Sequence, residues 1–175
     1  YGGRTDSLVS GGINVLLSIP LIPMAMVLGA FLTTNLLFVV LILGLLSWTG
    51  VARVIRAEFL SLKEREFVMA ARLIGVSDLR IISRHILPNV MAVVIVAATL
   101  MVATAILAES ALSYLGYGIQ PPTASWGNML QNAQRFFRIN PMLAIYPGIL
   151  ISLTVICINF VGDGMRDALD PRLRN

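Results

Sequence analysis

The chain has 175 residues, 57% of them hydrophobic and only 13% charged, with a net charge of +4 and a mean hydropathy of +0.84. A water-soluble domain is about a quarter charged, so the composition excludes a soluble globular protein and places the chain in a bilayer. One Cys and one His exclude an intrachain disulfide and leave no donor set for a metal, and no catalytic constellation or cofactor motif is legible.

Tyr1-Gly2-Gly3-Arg4 has neither an initiator Met nor a signal peptide, so the chain is expected to begin inside a longer protein. From Ser7 to Ala52 there is no Asp, Glu, Lys or Arg. A helix needs about 20 apolar residues to cross the hydrocarbon core, so this run predicts two spans, near 12–32 and 36–54. Thr33-Thr34-Asn35 is the hairpin between them. Pro20 and Pro23 should bend the first span.

A charged island follows. Arg53 to His85 holds seven of the 13 basic residues and four of the nine acidic ones. Within the predicted loop 55–87, "EREFVMAARLI" (64–74) is made of good helix formers. Gly75 can adopt the left-handed conformation that ends a helix. Ser77 can cap a second helix from Asp78 that runs to Pro88. Ala70 and Ala71 predict a bare patch on the first helix, with Phe67, Leu73 and Ile74 beside it and Arg65, Arg72, Arg80 and Arg84 around it. An exposed small-residue patch with an apolar and basic surround is a docking surface. Ala71, Gly75 and Ile81 also have the spacing of a DNA-binding helix-turn-helix. The island is too short for such a domain and both ends run into spans, so no nucleic-acid partner is expected.

The third span is predicted at 88–110. Glu109 is its only acid. It lies 21 residues after Pro88, about 32 Å along a helix, near the far interface rather than the midplane. It is a structural partner for the following loop or a gate residue. Segment 114–140 carries Pro121-Pro122 and then Trp126, Met129, Leu130, Ala133 and Phe137 at helical spacing, which predicts an amphipathic helix on the membrane face. The fourth span is predicted at 141–162. Pro88 and Pro141 stand at helix starts, where a missing N–H is tolerated, and Pro147 should bend the fourth span. Gly162-Asp163-Gly164-Met165-Arg166-Asp167 lacks the spacing of a phosphate-cradling loop. Its glycines are expected to end the helix, with Asp163, Arg166 and Asp167 in surface pairs. Four spans put both termini on one side with the island. That side holds 11 basic residues (Arg4, seven in the island, Arg166, Arg172, Arg174) against Arg135 and Arg138 on the other. Basic residues favour the cytoplasmic side, so the island and tail are predicted inside and segment 114–140 outside.

Ala70-Ala71, Gly75 and Leu87-Pro88 together resemble the cytoplasmic loop of permease subunits in binding-protein-dependent ABC importers. "LLSIP" (16–20), "HILPN" (85–89), "AESALSYLGYGIQPPTASWGNML" (108–130) and "VGDGMRDALDPRLR" (161–174) are similar to the dipeptide/oligopeptide/nickel family, its second, "C"-type permease. The resemblance implies an all-α polytopic membrane protein without catalytic activity. Its implied partners are a second permease subunit, two cytoplasmic ATPase subunits, an external substrate-binding protein and membrane lipid. It assigns ATPase docking to Phe67, Ala70, Ala71, Arg72, Leu73 and Gly75. Di- or oligopeptides are the favoured substrate, nickel or another small solute the alternative. A self-contained channel or secondary transporter would need midplane charges or internal repeats, and a membrane enzyme would need clustered acids, histidines or cysteines; neither pattern is present in the sequence. Members usually have an acid before the two alanines, where Met69 stands here, and a Met-Arg pair and an Asp before the first span, where Ser10-Gly11 and Asn14 stand here. They usually have six spans, so the resemblance implies about two further N-terminal helices.

Overall fold

The structure, a computed structural model, describes residues 3–32 and 35–169. The predicted hairpin residues Thr33 and Thr34 and the tail residues Arg172 and Arg174 lie outside the described residues. Every regular element described is helical: α1 (Gly3–Leu17), α2 (Leu21–Phe31), α3 (Leu36–Lys63), α4 (Glu66–Leu73), α5 (Asp78–Ile81), α6 (Leu87–Tyr114), α7 (Trp126–Ala133) and α8 (Met142–Leu169). Three rods are long and apolar enough to span a bilayer: α3, the continuous run Asp78–Tyr114, and α8. The pair α1 and α2, bent by 76°, counts as a fourth if taken as one span. The protein is thus an all-α polytopic membrane protein.

The break in the first pair corrects the expectation of one bent helix over 12–32. The helix begins at Gly3 and stops at Leu17. Pro20 is responsible. It restricts Ile19 to extended backbone and itself sits at the N-cap of α2 with φ −64° and ψ 124°. Pro23 then falls in the first turn of α2, where a missing N–H costs nothing, and introduces no second bend. Ser18 Oγ donates to the Asn14 carbonyl at 2.8 Å, satisfying one acceptor at the end of α1.

Helix α3 starts at Asn35, whose Oδ1 accepts from Phe38 N–H at 2.8 Å, a standard cap. It continues nine residues past the predicted end at 54, about 14 Å at the helical rise. Arg53, Arg56 and Glu58 are compatible with a helix even where they end an apolar run, and no Gly or Pro intervenes before Glu64. The rod therefore projects beyond its apolar part and carries the elbow at its tip.

Beyond the elbow the chain forms one rod, not a helix followed by a separate span. A π-helical turn, Ile82–Ile86, joins α5 to α6. Pro88 explains it: a proline there removes an N–H and its ring crowds the carbonyl four residues back, and a wider turn relieves both. Asn89 Nδ2 donates to the His85 carbonyl at 2.7 Å. At the other end, α8 does not stop at Gly162 as expected but runs to Leu169 with both glycines inside it. Gly162 is buried against α6. A Cβ there would lie 3.1 Å from Leu100 Cδ2, so its role is close approach of two rods, as small residues serve in membrane helix pairs. Among the described residues Asp163, Arg166 and Asp167, all exposed on this continuous helix, form no ion pair.

Two buried clusters tie the rods together. One joins Ala25 of α2, Val39, Ile42 and Leu43 of α3, Leu112 of α6 and Ile119. The other, near the opposite end of α3, joins Leu62, Val68, Ala71, Ile81, Ile86 and Val90. Between them the rods expose large apolar side chains such as Leu41, Leu45, Leu153 and Phe160, the surface that lipid and neighbouring helices cover.

Candidate functional site

The elbow is built on α4. Glu66 lies in its first turn, where a carboxylate favours the helix dipole. Its end is a Schellman motif: Val76 N–H donates to the Ala71 carbonyl at 3.1 Å and Gly75 N–H to the Arg72 carbonyl at 3.0 Å. Gly75 has φ +79°, a left-handed conformation that costs a side chain-bearing residue about 1–2 kcal/mol. Ser77 does occupy the cap position of α5, but its side chain makes no capping hydrogen bond; its carbonyl accepts from Arg80 and Ile81 instead.

The two faces of α4 differ. Val68 (0% exposed) and Ala71 (7%) point into the cluster with Leu62, Ile81 and Ile86. The small side chain of Ala71 lets α4 lie close on the α5 rod. Ala71 is therefore not on the bare patch predicted for it; the helical period turns it inward with Val68, three residues back. Outward lie Phe67, Met69, Ala70, Leu73 and Ile74, the last two 89% and 82% exposed. Arg72 is exposed and pairs loosely with Asp78 at 3.5 Å, which ties the two arms of the elbow across Gly75. The Phe67 ring lies 6.4 Å from the His85 imidazole, tilted by 46°. Met69, at the position where related loops often carry an acid, is half exposed on this same outer face.

A second contact set lies beside α3. Arg56 donates through Nε and Nη2 to both carboxylate oxygens of Asp6, at 2.7 and 2.6 Å. Arg53 Nη2 donates to Asn14 Oδ1 at 3.2 Å. The edge where the sequence departs from the usual acidic residue still meets Arg53, through a neutral amide. The Asp6 clamp could have been suspected only from a charge alone near the start of an apolar segment.

At the other end of α6, Glu109 is half-buried. Its Oε1 accepts from Ser113 Oγ at 2.6 Å and its Oε2 from Ser110 Oγ at 3.4 Å. Ser113 Oγ in turn accepts from Ile119 N–H at 2.9 Å. The carboxylate thus orients a wholly buried hydroxyl that holds the chain as it leaves α6. Gly127 at the start of α7 sits on the same spot: a Cβ there would lie 2.6 Å from Ser113 Cβ and 2.7 Å from the Ser110 carbonyl. Asn128, buried, donates through Nδ2 to the Thr123 carbonyl at 2.7 Å. Glu109 stands out in the sequence but Ser113, Gly127 and Asn128 do not; serines one and four residues after a lone acid were the available signal. The amphipathic segment itself is shorter than expected, one helix to Ala133 followed by a 3₁₀ turn, Gln134–Phe136.

Residues 1–175 match the family model described as the binding-protein-dependent transport system inner membrane component. The chain belongs to this family. It is 42% identical over 173 residues to the oligopeptide transport system permease protein OppC of Escherichia coli K12, covering 99% of this chain and 57% of that one. It is equally similar, 42% over 173 residues, to OppC of Haemophilus influenzae, covering 99% of this chain and 56% of the relative. A putative peptide permease protein of Brucella ovis is 42% identical over 174 residues, 98% of this chain and 58% of its own length. The chain thus spans somewhat over half the length of these curated relatives. Among the described residues no group of three His, Cys, Asp or Glu side chains is arranged to hold a metal ion.

Proposed function

We propose that the protein is a membrane-spanning permease subunit of an ATP-driven importer of di- or oligopeptides, with ATP hydrolysis on separate partner chains. The observation that carries this reading is the division of labour on α4. Its inner face is bolted by Val68 and Ala71 to α3 and to the α5–α6 rod, while its outer face of Phe67, Met69, Ala70, Leu73 and Ile74 is left open. Membership of a binding-protein-dependent family supports an ATPase as the occupant of that face. The names of the relatives support peptide over nickel as cargo.

In this mechanism two cytoplasmic ATPases hold the elbows of this subunit and of a second permease. Closure of the ATPase pair displaces α4. Because α4 shares one buried cluster with the end of α3 and the start of the α6 rod, the displacement is delivered to two spans at once. The continuous run from Asp78 through the π turn to Tyr114 carries it across the bilayer, toward Glu109 and the segment that follows. The spans rock between inward- and outward-facing states, and an external binding protein supplies peptide to the outward state. The elbow and the C-terminal end of α8 lie in the cytoplasm, as the distribution of basic residues favours.

The full-length protein, assembled with its second permease, ATPase pair and binding protein in proteoliposomes, should take up labelled peptide only with ATP present. Gly75→Pro should abolish uptake and weaken ATPase capture, because proline cannot adopt φ +79°. Uptake that proceeds without ATP, or a Gly75→Pro assembly that still captures the ATPase and transports normally, would refute the proposal.

A further inference from the structure

Beside the Glu109 carboxylate is a groove of about 610 Å³, within the 300–1,000 Å³ range of small-ligand sites. Its lining includes Leu36 and Val40 of α3, Val102 and Ile106 of α6, and Trp126 and Met129 of α7, with Ser125 beside them. Glu109 supplies the charge. Its carboxylate accepts two serine hydroxyls, yet among the described residues no basic side chain forms an ion pair with it. An acid in a membrane helix faces a protein interior or a wet cavity rather than lipid, and Glu109 borders this groove.

We propose that this groove receives the amino-terminal end of the transported peptide, its ammonium between Glu109 and the indole of Trp126 and its first apolar side chain along the exposed Leu36, Val40 and Val102. This rests on the peptide-importer reading above. The chemistry is that of ammonium recognition: a carboxylate accepts two or three N–H bonds, an indole face attracts the same charge, and the apolar lining strengthens both. Besides Glu109 the lining carries one polar side chain, Ser125, whose hydroxyl oxygen already accepts from Asn128 N–H, so the walls accept varied side chains while the single carboxylate fixes the polarity of the chain. Ser113 holds the carboxylate in place and is a positioning residue.

The test uses the complete transporter in proteoliposomes, with peptide concentrations that saturate the binding protein. Maximal uptake is compared for a free-amine peptide and its N-acetylated form. The wild type should favour the free amine by roughly tenfold, the worth of one charge-assisted hydrogen bond lost. Glu109→Gln keeps an acceptor for Ser113 but not the charge; it should lower free-amine uptake to the level of the acetylated peptide and leave the acetylated peptide unchanged. Glu109→Asp should restore part of the preference. Ser113→Ala should lower free-amine uptake more than acetylated uptake, because the carboxylate loses the hydroxyl that holds it. Wild-type discrimination retained by Glu109→Gln would overturn the site while leaving the importer reading intact. Failure of Glu109→Gln to assemble with the second permease would also overturn it, assigning the carboxylate to a cation of that subunit. Absence of any peptide uptake by the wild type would overturn the importer reading, and the ammonium site with it.

Discussion

Leu73→Ala separates docking from stability. Leu73 is 89% exposed and belongs to neither buried cluster, so its truncation should change unfolding by no more than about 0.5 kcal/mol, as for ordinary surface substitutions. If the outer face of α4 is buried in an ATPase, the same truncation removes roughly 2 kcal/mol of apolar burial at about 0.8 kcal/mol per carbon. That weakens binding roughly 30-fold. Ala71→Leu should do the reverse. Ala71 is 7% exposed and packed among Val68, Ile81 and Ile86, so three added carbons overpack the cluster at about 1–3 kcal/mol and lower the thermal midpoint. The assay is a pair of measurements on the detergent-solubilised full-length protein: ATPase affinity by surface immobilisation, and thermal unfolding. A Leu73→Ala affinity within twofold of wild type, or a loss of stability that accounts for the loss of affinity, would mean that Leu73 is not buried against an ATPase.

Other substitutions probe neighbouring claims. Gly75→Ala meets no atom within 4 Å, so its cost is backbone strain alone, about 1–2 kcal/mol, and Gly75→Asn should cost less because Asn tolerates that conformation; thermal midpoints of the two variants decide. Gly127→Ala places a Cβ 2.6 Å from Ser113 Cβ, which should destabilise the outer segment by about 1–3 kcal/mol and raise hydrogen exchange at residues 113–128 while the elbow amides stay protected. Asn14→Asp puts a carboxylate beside Arg53, now 3.2 Å from the amide oxygen; the thermal midpoint should rise at low salt, and the gain should shrink as salt screens the pair.

The rods were legible because a bilayer demands about 20 uncharged residues in a row, and α3, α6 and α8 each contain such a run. Their ends were less legible. Arg53 and Arg56 mark where an apolar run stops, not where backbone hydrogen bonding stops, and α3 continues to Lys63. Gly162 and Gly164 have the chemistry of a helix end, but the neighbouring Leu100 selects Gly162 for its missing Cβ, and only tertiary contact reveals that. The elbow was readable from Gly75, since few residues but glycine accept φ +79°. Which alanine faces outward was not, because Ala70 and Ala71 are identical in chemistry and the helix phase is set by Val68 against Ile81 and Ile86. Pro20 announced a bend but not its 76° angle, and the Asp6–Arg56 pair that ties α1 to α3 spans 50 residues. Glu109 stood out as a lone acid, and its partner Ser113 did not, since a buried serine in an apolar helix looks like any small residue until Ile119 N–H is seen to end on it.

The account rests on the outer face of α4 being cytoplasmic and gripped by an ATPase. Disulfide trapping tests this directly, using the full-length protein with Cys157→Ala and a single new cysteine, Ala70→Cys, in membranes of known sidedness together with cysteine-scanned ATPase subunits. The account predicts labelling by an impermeant maleimide only in inside-out vesicles, and a crosslink to the ATPase whose yield changes on ATP addition. Labelling of that cysteine in right-side-out vesicles, or no crosslink to any ATPase position, would contradict it.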